Sequence, residues 1–174
     1  MFQIDLVARC KQNDRKAQLK LYRQYCDGMF IVAMRFLKNE NDAEDVLQEA
    51  FIKAFSKIDQ YKGEVSFGAW LKRIVVNGSI DFLKSKKEQT VPMEEHFAVV
   101  GDEDDWSVSD SVTAEMARKA IARLPDTYRF VTQLFLVEGY DHSEISEILG
   151  ISGSACRTRL LRGKEQLRLL LKTH

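Results

Sequence analysis

An acidic segment divides the sequence into two parts. Residues 88–115 contain nine acidic residues and no lysine or arginine. The segment also lacks sustained helical periodicity and contains Pro92 and Gly101, a composition typical of irregular linkers. The 174-residue chain is therefore predicted to form two small domains, at 1–87 and 116–174, joined by an acidic linker.

The two predicted domains are both basic, although the formal net charge of the whole chain is zero. Residues 1–87 hold 16 Lys and Arg against 11 Asp and Glu, and residues 116–174 hold 10 against 6. Basic domains suit a polyanionic partner, whereas the acidic linker could not itself lie against phosphates. Nucleic acid is therefore the partner class that the charge pattern favours.

Apolar spacing predicts helices in both domains, and no segment has a convincing strand pattern. The third predicted helix is the clearest, and either Asn41 or Asp42 is its predicted N-cap. Ser66 is the predicted N-cap of the fourth helix. Acidic residues crowd the N-terminal half of this third helix, where the helix dipole alone would stabilise them. The predicted fold class is all-α. The apolar positions of the third helix are Ala43, Val46, Leu47, Ala50, Phe51, Ala54, Phe55 and Ile58.

One face of the fourth predicted helix mixes basic, polar and apolar residues. Val76 and Ile80 fall on this face, and the helix ends in the basic sequence Lys84, Lys86 and Lys87. Two interpretations stay open at this stage. The face could bind nucleic acid, or Val76 and Ile80 could pack on another helix.

Two helices joined by a short turn are predicted near the C-terminus. Ile145, Ile148 and Leu149 mark the first helix, Gly150 stands where a left-handed cap is usual, and Ser152 is a good N-cap for the second. This is the pattern of a DNA-reading helix-turn-helix, although an amphipathic hairpin with a solvated basic face would give the same spacing. The buried stripe predicted for the second helix is Cys156, Leu160, Leu167 and Leu171.

The outward face of that second helix suits a DNA groove. Arginine bonds guanine edges or phosphates, hydroxyls serve either, and leucine can touch a thymine methyl. At about 100° per residue, the face and its flanks contain Ser154, Arg157, Thr158, Arg159, Leu161 and Arg162.

Several function classes are disfavoured by the sequence. The sequence has no long apolar run and no charged leader followed by an apolar stretch, so we expect neither a membrane span nor a signal peptide and predict a cytoplasmic protein. Cys10, Cys26 and Cys156 are widely spaced, which speaks against a metal site or disulfides, although redox sensing by Cys156 stays open. An enzyme using acids 102–105 as metal ligands is disfavoured, because no nucleophile or base accompanies them. We expect no catalytic residue, cofactor or small-molecule ligand.

The chain resembles the extracytoplasmic-function sigma factors of the sigma-70 family, compact factors that hold only the second and fourth sigma domains. The resemblance covers nearly the whole chain, and its two anchors occur in order with an acidic linker between them. It rests on DAEDVLQEAFIKAF at 42–55, YKGEVSFGAWLKRIVVN at 61–77, IDFLKSKK at 80–87, LPDTYRFVTQLFLVEGYDHSEISEILGIS at 124–152 and RTRLLRGKEQL at 157–167.

The resemblance implies a transcription initiation factor, not an enzyme. It would bind core RNA polymerase through the β′ clamp helices and the β subunit, read the −35 promoter element and open the −10 element. An anti-sigma factor is a further implied partner. The implied docking residues are Asp42, Asp45, Gln48 and Glu49. The implied −10 residues are Tyr61, Lys62, Arg73, Asn77, Lys84, Lys86 and Lys87. The implied −35 residues are Ser154, Arg157, Thr158, Arg159, Leu161, Arg162 and Lys164, with Arg157, Thr158, Leu161 and Arg162 nearest the bases.

Three further expectations accompany this resemblance. Tyr61 and Phe67 could stack on unpaired bases, although Phe67 and Trp70 lie on the apolar stripe of their helix and are expected in the core. Gly163 lies inside the second helix of the predicted helix-turn-helix, where a glycine costs about 1 kcal/mol relative to alanine, so close packing or a bend is expected there. The alternative function is a stand-alone helix-turn-helix regulator that binds operators as a dimer, but the sequence has no dimer-forming heptads.

Overall fold

The computed structural model describes residues 2–87 and 111–172, without the side chains of residues 2–4 and 87. Within these residues every regular element is helical, which confirms the all-α prediction. The chain divides into two compact units, Met1–Pro92 and Met93–His174. The predicted acidic linker falls almost entirely outside the described residues.

The described part of the first unit, residues 2–87, contains four helices, α1 (Phe2–Lys11), α2 (Arg15–Leu37), α3 (Glu40–Ser56) and α4 (Phe67–Lys87), with a short 3-10 turn at Ile58–Gln60. Helices α2, α3 and α4 pack on one another, and α1 packs on α2 and on the 3-10 turn. Apolar side chains at helical spacing fill the centre of this unit, as expected for helices with one buried stripe. Fully buried members of this core include Ala17, Leu21, Ala33, Ala43, Ala54, Leu71 and Val75.

Val76 and Ile80 belong to the core, so these two side chains pack on other helices and are not part of an exposed contact surface. Their exposed fractions are 0% and 2%. Helix α4 contacts both α2 and α3, and a helix held between two neighbours buries a wider sector than a helix with one.

Side-chain caps set the helix starts in this unit, with one difference from the prediction. Ser66 accepts a hydrogen bond from the Ala69 N–H at 3.1 Å, as predicted. Helix α3 is capped by Asn39, whose side chain accepts from the Asp42 N–H at 3.0 Å, so Asn41 and Asp42 lie inside the helix. The reason is the preceding turn: Lys38 ends α2 in the left-handed conformation, with φ 56°, and the chain turns directly into Asn39.

The second unit contains α5 (Ala114–Ala122), α6 (Asp126–Thr132), α7 (His142–Leu149) and α8 (Gly153–Lys172). Helix α6 continues as a π-helical segment, Gln133–Val137. Helix α8 packs against α5, α6 and α7, so it is the central element of this unit. Helix α5 begins two residues inside the predicted linker, because the Thr113 side chain accepts from the Met116 N–H and caps the helix. Buried residues include Ile121, Val131, Leu134, Ile145, Cys156, Leu160 and Leu167.

The helix-turn-helix forms as predicted at α7 and α8. Asp141 and Glu144 form a reciprocal capping box at the start of α7, and Gly150 ends that helix with φ 65°. The Ser152 hydroxyl then accepts from the Ala155 N–H at 3.1 Å and caps α8. Two well-capped helices with a short turn between them give α8 a fixed direction relative to α7.

Gly163 is a point of close packing, one of the two alternatives expected for it. The glycine is buried, and a Cβ at this position would overlap the Thr132 hydroxyl of α6 and lie 3.4 Å from the Tyr128 carbonyl oxygen. The Thr132 hydroxyl is itself buried and has no hydrogen-bond partner within the described residues. The absence of a side chain at Gly163 therefore allows α8 to approach α6 closely.

We expect Gly163→Ala to destabilise the second unit by about 1 to 3 kcal/mol, the usual cost of overpacking a core. In a Thr132→Ala background the overlap disappears, and the same substitution should be neutral or stabilising by up to about 1 kcal/mol through helix propensity. Urea unfolding followed by circular dichroism measures both effects. An equal loss of stability in the two backgrounds would contradict the overlap as the cause.

Candidate nucleic-acid interface

The first half of α8 presents a basic face to solvent. Ser154 and Arg157 are exposed, while five further side chains predicted to contact DNA are half-buried. On the other side of the helix Cys156 and Leu160 are buried against the unit's core. The half-buried residues are Thr158, Arg159, Leu161, Arg162 and Lys164. All seven predicted −35 residues thus lie on the solvent-accessible part of α8, and Arg157 is more exposed than Arg162, the other arginine predicted to contact base edges.

Contacts with neighbouring elements hold this helix in place. The His142 ring stacks on Phe135 at 5.2 Å between centroids, and its Nδ1 lies 3.7 Å from the Cys156 sulfur. The Lys164 ammonium lies 5.0 Å from the centre of the Phe135 ring, a cation–π contact. Lys164 therefore packs back on its own unit at the edge of the basic face.

Cys156 has the environment of a structural cysteine. Its side chain is fully buried, and this burial raises the pKa of the thiol above its ordinary value. Because the thiolate is the reactive form, a buried thiol with a raised pKa reacts slowly. This environment disfavours the redox-sensing alternative.

We expect iodoacetamide at neutral pH to modify the half-buried Cys26 well before Cys156 in the folded protein. Mass spectrometry of peptides from a time course measures the order of modification. The rates in the folded protein are compared with those in urea-unfolded protein. If Cys26 and Cys156 react equally fast in the folded protein, and folding slows Cys156 no more than Cys26, the structural role of Cys156 is contradicted.

An acidic face on α3 contains three of the four predicted docking residues. Asp45, Gln48 and Glu49 are all exposed, and their spacing places them on one side of the helix. Ile52 extends the same side by one turn and is 69% exposed, although the sequence analysis did not include it. The sequence contains a signal for this residue, because Ile52 lies off the predicted apolar stripe of the helix and on the same side as the acidic residues.

Asp42, the fourth predicted docking residue, has a different environment. Its carboxylate pairs with the Lys86 ammonium at 2.8 Å, and its side chain is only 23% exposed. Lys86 also lies 4.8 Å from the centre of the Phe82 ring. The pair joins the start of α3 to the end of α4, and it connects a predicted docking residue with a predicted −10 residue.

The loop at 61–66 is held mainly through Tyr61. The Tyr61 ring packs on Phe67 and Trp70, with ring centroids 5.7 and 5.4 Å away, and its hydroxyl donates to the Val65 carbonyl at 2.6 Å. Phe67 is 2% exposed, which confirms its expected place in the core, and Trp70 is half-buried. Tyr61 thus has a structural role in closing the loop. Lys62 and the four residues after it are exposed.

The predicted −10 face of α4 continues from this loop. Arg73 and Asn77 are half-buried one turn apart, and Lys84 is exposed two turns further along. Lys86 is 57% exposed despite its ion pair. Lys87 lies at the end of the helix, where its side chain is outside the described residues. The loop leads directly into the part of α4 that contains Arg73 and Asn77. Lys84 and Lys86 lie towards the opposite end of the helix and extend its basic character there.

The second unit also contains a groove that was not predicted from the sequence. This groove has a volume of about 350 Å³, and its walls come from α5, the π-helical segment and the C-terminal half of α8. Leu136 at its edge is 39% exposed. The lining is largely apolar and includes Ala117, Ile121, Leu136, Val137, Leu167 and Leu171.

The described residues contain neither a metal-binding cluster nor a helix that could span a membrane. Within residues 2–87 and 111–172, no three His, Cys, Asp or Glu side chains are grouped so that they could hold a metal ion. In the same part of the chain, no helix has the length and apolar character needed to cross a membrane.

Comparisons with known proteins identify relatives of both units. The sequence matches the family Sigma-70 region 2 over residues 21–89 and the family Sigma-70, region 4 over residues 114–167. It is 33% identical to the ECF RNA polymerase sigma factor SigW of Bacillus subtilis over 178 residues, covering 95% of each chain. It is 29% identical to the ECF RNA polymerase sigma-E factor of Haemophilus influenzae, covering 93% of this chain and 91% of that one.

Two solved structures have a similar fold. One is CnrH in complex with the cytosolic domain of CnrY, with a TM-score of 0.56, 21% identity and coverage of 98% of this chain and 97% of that one. The other is the sigma factor RpoE of Bartonella quintana in complex with the anti-sigma factor NepR, with a TM-score of 0.56, 20% identity and coverage of 88% and 95%.

Proposed function

The chain belongs to the extracytoplasmic-function group of sigma-70 RNA polymerase sigma factors, and we propose that its first unit docks on core polymerase and opens the −10 element while its second unit reads the −35 element. A member of this group is a transcription initiation factor that binds core RNA polymerase and directs it to specific promoters. The observation that carries the assignment is the occurrence of both sigma regions in one chain. A stand-alone operator-binding regulator is not favoured, because it would need only a helix-turn-helix.

Docking is proposed to use the acidic face of α3. Asp45, Gln48 and Glu49 offer two carboxylates and an amide that form no hydrogen bond or ion pair with the other described residues, and Ile52 adds an apolar contact at the end of the row. Interfaces of this kind combine a buried apolar anchor with polar groups that set orientation. The proposed partner surface is the pair of β′ clamp helices. Asp42 contributes less directly, because its carboxylate pairs with Lys86.

Opening of the −10 element is proposed to use the 61–66 loop and the adjoining face of α4. An unpaired base would enter the exposed part of the loop, and Arg73, Asn77 and Lys84 would hold the strand. Removing a base from the duplex costs a few kcal/mol of stacking and pairing, which a pocket and contacts to the phosphates can offset. This step needs no ATP and no catalytic group, so the protein is proposed to act by binding, without a cofactor.

We propose that the open face of α8 lies in the major groove of the −35 element. Arg157 and Arg162 are the candidates for guanine edges, and Thr158 and Leu161 for neighbouring base contacts. Ser154, Arg159 and Lys164 would contact phosphates and set the register without choosing the sequence. The contact of Lys164 with Phe135 fits such a peripheral position.

The apolar groove of the second unit is proposed to take the apolar face of an amphipathic helix from the polymerase β subunit. Its size and lining suit a few apolar anchors at helical spacing. An anti-sigma factor that used the same groove would compete with the polymerase. The relative from Bartonella quintana was solved with an anti-sigma factor, which supports a partner of this class for the present chain. Both polymerase and promoter place the action of this protein in the cytoplasm.

A mobility-shift experiment tests this function against the operator-binding alternative. Labelled genomic promoter fragments are incubated with the protein alone, with core polymerase alone, and with both. We expect a heparin-resistant complex only when both are present, because the two DNA-binding units act within the assembled polymerase. Tight, sequence-selective binding by the protein alone, unchanged by core polymerase, would overturn the proposal.

A further inference from the structure

We propose that Lys11, on the helix that precedes the matched sigma region, positions the 61–66 loop and thereby helps to set base selectivity in the −10 element. The family match begins at residue 21, so α1 lies outside it. The proposal rests on the proposed role of this loop in holding an unpaired base. Lys11 acts through the loop backbone and is a positioning residue.

The contact that carries the proposal links distant parts of the chain. The Lys11 ammonium donates a hydrogen bond to the Tyr61 carbonyl oxygen at 2.9 Å, across 50 residues of sequence. Tyr61 directly follows the 3-10 turn, and its own N–H donates to the Ile58 carbonyl at 3.1 Å. Ile58 is buried, so the turn is anchored in the core. Lys11 therefore holds the loop at the point where it leaves the core.

Tyr61 transmits this restraint to the other end of the loop. Its hydroxyl donates to the Val65 carbonyl, and its ring packs on two aromatic side chains of α4. The residues between these anchors are exposed, and Gly63 has φ 80°, so the loop turns back sharply within a few residues. A shift at the Tyr61 carbonyl would move both the ring and the Val65 contact, which together define the shape of the exposed segment.

Helix α1 gives Lys11 a fixed origin. Cys10, the residue before it, is 1% exposed, and Leu6 and Val7 are also buried. The connection to α2 is held by the Arg9 guanidinium, which pairs with Asp14 at 2.7 Å and, with backbone hydrogen bonds, holds the pKa of that carboxyl below its usual range. Asp14 also caps α2. A lysine on such a restrained helix end can hold a loop carbonyl in one place.

The effect is expected in selectivity because the contact itself is exposed. Exposed contacts of this kind contribute little to folding, whereas a displacement of about 1 Å in a binding site can change its selectivity strongly. Lys11→Met removes the donor and keeps most of the stem, and Lys11→Arg keeps a donor and the charge. Lys20→Met is the matched control, because Lys20 is an exposed lysine on α2 for which the described residues record no side-chain partner.

The experiment measures base discrimination by the assembled holoenzyme. Each variant is combined with core polymerase, and its affinity is measured for a single-stranded oligonucleotide carrying the −10 sequence of a mapped promoter and for the same strand with each base replaced. We expect Lys11→Met to lower the discrimination ratio at one or more positions by about 3- to 10-fold. Lys11→Arg should keep most of the ratio, Lys20→Met should not change it, and discrimination between −35 sequences should stay unchanged in all variants.

Four results would overturn the proposal. Unchanged discrimination with Lys11→Met would show that the loop needs no such anchor. An equal fall with Lys20→Met would assign the effect to net charge, and a parallel loss of −35 discrimination would assign it to general destabilisation. A wild-type holoenzyme without base discrimination in this strand would instead overturn the proposed role of the loop, and this proposal with it.

Discussion

Replacing Asp45 and Glu49 together by lysine is expected to weaken assembly with core RNA polymerase by at least about 100-fold while leaving the helical fold intact. Both side chains are exposed on one face of α3, and neither helps to cap the helix. The double substitution changes the charge of this face by four units. Placing like charges together at an interface costs several kcal/mol, and about 2.7 kcal/mol already corresponds to 100-fold in affinity.

The measurement is the dissociation constant of fluorescently labelled protein with core polymerase in the absence of DNA. A control with the same change in net charge is Asp59→Lys with Asp81→Lys, which alters exposed acids outside α3. A further comparison, Asp42→Asn, breaks the ion pair with Lys86 and should change the affinity far less. Normal affinity of the Asp45 and Glu49 double variant, or equal losses in the control, would remove this face from the docking surface.

Arg157→Ala and Arg162→Ala are each expected to weaken binding of the −35 element by about 1 to 3 kcal/mol, or roughly 5- to 150-fold, if they contact base edges. Arg157 is the more exposed of the two and should have the larger effect. At promoters where the contacted base is changed, replacing the arginine should cost no further affinity, because the wild-type arginine makes no base contact there. A phosphate contact would give a similar loss for every sequence.

Holoenzyme affinities for a panel of −35 substitutions separate these two outcomes. Arg123→Ala is the matched control, since Arg123 is an exposed arginine at the end of α5, away from α8 in sequence. Unchanged selectivity in both the Arg157 and the Arg162 variants would exclude them as base-reading residues. A uniform loss in one variant would reassign that arginine to the phosphates.

The helix-turn-helix could be predicted from sequence because its determinants are local. Gly150 and Ser152 lie within the turn itself, and the capping box spans only Asp141 to Glu144. The packing of α4 could not be predicted in the same way. Periodicity marks apolar residues, but it does not distinguish a second buried stripe from a contact face, so Val76 and Ile80 needed the positions of α2 and α3.

Caps and long-range contacts set the other limits of the prediction. Asn39, Asn41 and Asp42 are all good N-caps by type, and the left-handed turn at Lys38 selects Asn39 among them. The role of Gly163 was visible as an anomaly in the sequence, whereas its partner Thr132 on α6 was not. The contacts of Lys11 with Tyr61 and of Asp42 with Lys86 join residues 50 and 44 positions apart, and no local pattern predicts them.

The central claim is that this protein gives core RNA polymerase its promoter specificity, and run-off transcription from genomic fragments tests it most directly. Purified core polymerase, shown to be active with another sigma factor, is assayed with and without the protein, and new start sites are mapped. The account predicts protein-dependent starts that share upstream −35 and −10 motifs. An active core that produces no new start, while the protein alone binds duplex DNA tightly, would contradict it.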